Sequence, residues 1–201
     1  MVTLICGPMF AGKSRTLKQQ IERKTRGGKT VALVRPSLDT RGYFTHDDES
    51  FAPEDESLVE EFFYTKYPEQ LKEFRINEFT PELVKDLVNN FNAVFVDEYF
   101  LIKNCKLMAE ALTDDRNNHC DIYFAGLLAT AENEVWPETI AILPYCDEIK
   151  KLSAVCTMCG SEHGNYSLHL GPKTQAIEVG DEAYTSVCKR CYLTATKINK
   201  Q

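Results

Sequence analysis

Along the chain, short apolar runs alternate with longer stretches that repeat at helical spacing. Val2–Cys6 (VTLIC), Thr30–Arg35 (TVALVR), Ala93–Val96 (AVFV) and Asp121–Ala125 (DIYFA) are rich in β-formers, as strands covered on both faces are. Glu148–Val155 is a candidate fifth strand. Between them, Ser14–Arg26 reads as a helix that runs into a turn signal over Lys24–Lys29. Thr80 is placed to cap a helix with Pro81 at its first position, reaching about Asn90, and Cys105–Asp115 predicts another. Arg35–Glu56 carries charge, two prolines and no sustained period, which predicts a long surface loop. Leu58–Phe79 fits either a strand and a helix or two short helices. Strands alternating with helices predict an α/β fold, a mostly parallel sheet with right-handed crossovers and helices on its faces.

At 201 residues the chain can bury one good core, or one core and a small appendage. Near Val155 the pattern changes to short β-like pieces, glycines and paired cysteines. The expected division is therefore 1–152 for the α/β unit and 153–201 for a small second unit. With 43% hydrophobic and 26% charged residues, the composition is that of a soluble globular protein. No apolar run approaches membrane-spanning length, and the N-terminal apolar run leads into a glycine loop rather than a cleavage site, so a cytoplasmic protein is expected. A net charge of −7 argues against a protein that coats nucleic acid.

The first apolar run changes the picture most, because Gly7–Ser14 (GPMFAGKS) fits the phosphate-binding pattern G-x-x-x-x-G-K-[ST] between a strand and a helix. Gly7, Pro8, Met9, Phe10, Ala11, Gly12, Lys13 and Ser14 are accordingly the candidate residues for holding a nucleotide's phosphates. The glycines allow turns closed to side chains and bring N–H groups onto phosphate oxygens at a helix N-terminus. Lys13 adds positive charge, and the Ser14 hydroxyl suits a magnesium ion bridging the outer phosphates. In a parallel sheet the carboxyl ends of the strands share one crevice, so Asp97 and Glu98, following AVFV, are expected to face the loop. Asp97 is the candidate second magnesium residue. Glu98 is the candidate general base.

Cys156-x-x-Cys159 and Cys188-x-x-Cys191, with 28 residues between the inner cysteines, match a four-thiolate zinc site. Four protein thiolates leave no open coordination position, so the zinc is expected to be structural. The remaining cysteines, Cys6, Cys105, Cys120 and Cys146, read as small buried apolar residues. His46, His119, His163 and His169 show no ligand spacing and read as surface or loop residues. Trp136 is by base rate a packing residue, and Asp47–Glu56 a solvated loop.

GPMFAGKS, LDTR-x-x-x-THD after the second strand, VFVDE after the third, and KLSAVCTMC followed by VCKRCY together resemble the thymidine kinases of the zinc-containing, cytosolic type along nearly the whole chain. The resemblance implies a RecA-like α/β domain followed by a zinc-ribbon-like domain whose lasso loop closes over the nucleoside base. It also implies phosphoryl transfer from magnesium ATP to the 5′-hydroxyl of a deoxynucleoside, and a homotetramer. On the matching positions, Lys13, Glu98 and Arg41 take catalytic roles. Asp39, Leu101, Leu127, Trp136, Ile177, Val179, Gly180 and Tyr184 fall on the nucleoside side. This chain departs from the family at two places. The family's D-E-A-Q-F-F is DEYFLI here, so Tyr99, Phe100 and Leu101 replace a small residue, an amide and an aromatic; D-G-T-F-Q-R-K-P-F becomes LATAENEVWPE. A rebuilt acceptor pocket is expected.

The resulting expectation is an ATP-dependent deoxynucleoside kinase acting on thymidine or a related pyrimidine deoxynucleoside, with a nucleoside partner and neither membrane nor nucleic acid. Two rivals remain at this level. One is the same chemistry on a modified or different nucleoside; the other is a phosphate-loop and zinc-ribbon ATPase acting on nucleic acid.

Overall fold

The computed structural model describes residues 1–39, 69–117, 119–171 and 183–198. Arg41, His46, Ile177, Val179, Gly180 and most of the expected Arg35–Glu56 loop lie outside the described residues.

Six strands form one sheet in the order β3-β2-β4-β5-β1-β6. They are β1 (Val2–Gly7), β2 (Val31–Pro36), β3 (Leu71–Ile76), β4 (Ala93–Asp97), β5 (Asp121–Leu127) and β6 (Glu148–Lys151). Each pairing in it is parallel. The four central strands are almost wholly buried because both faces are covered. Val2, Leu4 and Cys6 of β1 enter one core with Val94, Val96, Ile122 and Phe124, while Ile5 enters the other with Leu33, Phe95 and Tyr123. Alternate residues thus feed opposite layers, as a two-residue period requires.

Helix α1 (Lys13–Arg26) covers the second of these faces with Leu17, Ile21 and Thr25, spaced four apart. Its last turn carries Arg23, Lys24 and Arg26, which suit the negative end of the helix dipole, and Gly27 closes it with an N–H bond to the Arg23 carbonyl. The opposite face is covered by α2 (Pro81–Asn90), α3 (Cys105–Glu110) and α4 (Pro137–Ile142). Thr80 caps α2 as the sequence predicts, accepting from the Leu83 N–H at 3.3 Å. The helix expected over Cys105–Asp115 ends early at Glu110 and continues as 3-10 turns over Ala111–Thr113 and Asp115–Asn117. Local bonds explain this: the Thr113 hydroxyl donates to the Glu110 carbonyl, and Asp114 takes the Arg116 N–H. Of the ambiguous Leu58–Phe79 stretch, Leu71–Ile76 is strand β3.

A small antiparallel pair, β7 (Tyr166–His169) and β8 (Tyr184–Val187), is followed by α5 (Lys189–Ile198). Among the described residues its apolar centre is Cys156, Leu168, Val187 and Cys188, with Tyr166, Cys191, Tyr192 and Ala195 against it. A cluster this small needs further stabilisation. Among the described residues no helix is long and apolar enough to cross a membrane.

Candidate active site

β1 delivers Gly7 to the carboxyl edge of the sheet, where a Cβ would stand 2.6 Å from the Leu152 carbonyl oxygen. No side chain fits there. Gly12, at φ 78, turns the chain into α1 through the left-handed region. Lys13 is buried, and its ammonium donates to the Pro8 carbonyl at 2.7 Å across the loop.

Ser14, in the first turn of α1, points its hydroxyl at Asp97 at the end of β4, Oγ to Oδ1 3.5 Å. The two candidate magnesium residues therefore meet although 83 positions separate them. A hydroxyl and a carboxylate at one point above a phosphate-binding loop suit an octahedral, oxygen-seeking ion. Glu98 follows directly and takes φ 48, ψ 44, a left-handed conformation costing a residue with a Cβ about 1–3 kcal/mol. Backbone strain at the residue carrying the candidate base is a mark of a functional position.

The acceptor-side expectations divide. Asp39 is buried, with its carboxylate 2.9 Å from the equally buried Arg35 guanidinium, and Glu73 stands 3.8 Å from the same group. The Asp39 side chain therefore belongs to an internal ion pair at the end of β2. Leu127 ends β5, and Leu101 ends the 3-10 turn Tyr99–Leu101; both are half-buried. Trp136 packs on Phe100 with ring centroids 4.8 Å apart, and its buried indole nitrogen has no hydrogen-bond partner among the described residues. Tyr184 opens β8 and meets His169 edge-on at 5.0 Å. Tyr99, expected as a change in the acceptor pocket, is instead fully buried in the core behind it. Its phenol is wide enough to fill the space over Gly126, and burial drives its acidity well below that of free tyrosine.

A cleft of about 400 Å³ opens over the carboxyl ends of β1, β5 and β6, between the loop start at Gly7 and Pro8, the stretch from Leu128, and the β7 to α5 region. Lys151, Asn165, Ser167 and Tyr192 line it, and none carries a short-range sequence signal. Their only signature is place in the fold: Lys151 ends β6, Asn165 precedes and Ser167 lies in β7, and Tyr192 lies in α5. Two contacts tie this region to the main unit: the Met9 N–H donates to the Ser167 hydroxyl at 3.4 Å, and the Tyr192 hydroxyl donates to the Ala131 carbonyl at 2.6 Å.

The four sulfurs of Cys156, Cys159, Cys188 and Cys191 lie within 4.8 Å of one another, Cys159 to Cys188 at 3.7 Å. Four sulfurs about 2.3 Å from one central ion span such distances, so the donor set fits tetrahedral zinc. Backbone N–H groups, first that of Cys188, pull the Cys156 thiol down to about 6. Desolvation and the neighbouring sulfurs push Cys191 up to about 12. Four thiolates cannot gather without a cation to neutralise them. The other cysteines behave as small apolar residues: Cys6, Cys105 and Cys120 are buried, Cys146 is half-buried, and burial raises all four thiols.

The thymidine kinase family model matches residues 1–192. The thymidine kinase of raccoon poxvirus is 28% identical over 201 residues, covering 96% of each chain. That of Pseudothermotoga lettingae is 28% identical over 194 residues, covering 95% of this chain and 94% of its own. That of Amsacta moorei entomopoxvirus is 25% identical, covering 95% and 97%. With a match running almost from end to end and a phosphate loop set against an acidic strand end, the chain belongs to the thymidine kinase family and is an ATP-dependent nucleoside kinase.

Proposed function

We propose that the protein transfers the γ-phosphoryl group of ATP to the 5′-hydroxyl of thymidine or a related pyrimidine deoxynucleoside. The observation that carries this reading is the 3.5 Å approach of Ser14 to Asp97 with Glu98 next in the chain. Magnesium held by Ser14 and Asp97 would supply charge neutralisation on the outer phosphates. The backbone of Gly7–Ser14 cradles the triphosphate. Lys13 swings from Pro8 to the phosphates, and Arg41 steadies the group in transfer. Glu98 takes the proton of the 5′-hydroxyl as the new oxygen–phosphorus bond forms and the bond to the ADP oxygen breaks.

Leu101, Leu127, Trp136 and Tyr184 form the nucleoside side with Ile177, Val179 and Gly180, and Asp39, two positions before Arg41 in sequence, supports that side from its ion pair with Arg35. Residues 1–152 make the kinase domain and 153–201 a zinc-binding lasso domain in which zinc is structural. The enzyme works in the cytoplasm as a homotetramer, which sedimentation tests. The decisive experiment is a panel of nucleosides with labelled ATP. Thymidine or a close pyrimidine relative as best acceptor supports the proposal; another acceptor class, or DNA-stimulated ATP hydrolysis alone, overturns it.

A further inference from the structure

Strand β4 passes from Asp97 through Glu98 straight into the Tyr99–Leu101 turn, closed by the Leu101 N–H on the Glu98 carbonyl at 2.9 Å and the Ile102 N–H on the Tyr99 carbonyl at 3.0 Å. The side chain that follows Glu98 is anchored at several points. Tyr99 is 0% exposed, meets Phe124 edge-on at 6.0 Å and Phe100 at 6.2 Å, and closes on Gly126, where an added Cβ would come 2.9 Å from its ring.

Its hydroxyl donates to the Leu127 carbonyl at 3.1 Å and lies 2.6 Å from the Thr139 hydroxyl. Because the phenol has one hydrogen, Thr139 is the donor in that second bond. One side chain thus joins three elements: the turn carrying Glu98, the end of β5 at Leu127, and α4. Tyr99 stands where the family pattern has a small residue, so these contacts belong to the altered part of this chain.

We propose that Tyr99 is a positioning residue for the acceptor half of the reaction, bracing Glu98 and the Leu127 end of β5 as one unit. The proposal rests on the reading of Glu98 as base and Leu127 as acceptor wall. Among the described residues, the hydrogen bonds of the Tyr99 hydroxyl run to the Leu127 end of β5 and to α4, and the Lys13 ammonium bonds instead to the Pro8 carbonyl.

The test compares Tyr99→Phe, Thr139→Val and Thr139→Ser with the wild-type protein at a temperature well below all their melting points. Tyr99→Phe and Thr139→Val are expected to lower kcat/KM for the nucleoside about tenfold with KM for ATP held within about twofold. Thr139→Ser keeps the donor and is expected to match wild type. Hydrogen exchange gives a readout independent of turnover: the Leu101 and Ile102 amides should exchange at least about tenfold faster in Tyr99→Phe, with α1 amides unchanged. Unaltered nucleoside kinetics in both folded variants, equal losses toward ATP, or unchanged exchange in that turn each overturn the brace. If Tyr99→Phe does not fold, Thr139→Val decides. Wild-type turnover is read first: no turnover with any nucleoside overturns the proposed function, and the exchange measurement still decides the brace.

Discussion

The hydroxyl of Ser14 and the carboxylate of Asp97 lie 3.5 Å apart across the top of the sheet, joining the helix that follows β1 to the end of β4. Two strands that are not neighbours, β1 and β4, bracket β5 and bring these groups together. Ser14→Ala and Asp97→Asn are each expected to weaken magnesium ATP binding about tenfold or more while binding of metal-free ATP changes little. Titration with and without magnesium checks this, and equal losses under both conditions would contradict it.

Glu98, the proposed base, sits on a strained backbone. Glu98→Gln should lower turnover by about 10²–10⁴ with ATP binding within about threefold of wild type. Glu98→Gly should lose turnover as severely yet unfold no more easily, because glycine relieves the left-handed strain by about 1 kcal/mol or more before its own entropic cost. A denaturant titration showing Glu98→Gly clearly less stable than Glu98→Gln would refute the strain argument.

Gly7 is held by space rather than by dihedral angle. Gly7→Ala places a methyl 2.6 Å from a backbone carbonyl that cannot swing away. The expected cost is about 1–3 kcal/mol of stability together with weaker ATP binding, since the loop must shift to admit it. Melting curves with and without ATP separate the two effects.

Asp121 sets an acid limit to stability. Burial alone would raise its carboxyl, but hydrogen bonds from Lys24 and from the Met1 ammonium 3.2 Å away outweigh it and hold the group below its usual range. A depressed carboxylate contributes stability above its unfolded value, and that contribution fades as pH falls through the lower folded value. Asp121→Asn should therefore be less stable at neutral pH, by about 1 kcal/mol or less for a pair still partly open to solvent. The gap should close below about pH 4. A gap independent of pH between 7 and 3 would show that the charge is not its source.

The four-cysteine cluster carries a stoichiometric prediction. Metal analysis should find one zinc per chain, and chelation or Cys156→Ser should strip exchange protection from Tyr166–His169 while β1, β4 and β5 stay protected. Among the described residues the apolar centre of this unit is small, which is why metal is expected to carry part of its stability. Retained protection after complete zinc removal would overturn a structural role.

Much of this protein was legible before its fold was known. The strand, glycine loop and helix at the start, the capped α2, and the AVFV strand with its acidic end are local matters, governed by side-chain period, cap chemistry and backbone freedom within a few residues. The two C-x-x-C pairs were equally legible, because thiolate zinc chemistry dictates spacing within each pair whatever the chain does between them. Less visible was the length of the helix after Cys105, where Thr113 and Asp114 compete for the backbone.

The sequence alone marked a phosphate-binding loop pattern, two carboxylates after a strand, and four cysteines spaced as one metal site would need, since each depends on residue type and short spacing. Only the tertiary structure decided where side chains turn. Tyr99 went inward because Gly126 leaves room for its ring and Leu127 and Thr139 satisfy its hydroxyl. Asp39 went to Arg35 because two buried opposite charges must pair. Ser14 met Asp97 because the strand order set their elements across a shared edge. Each of these outcomes depends on partners far away in sequence, and burial decides among partners only once the chain has closed around them.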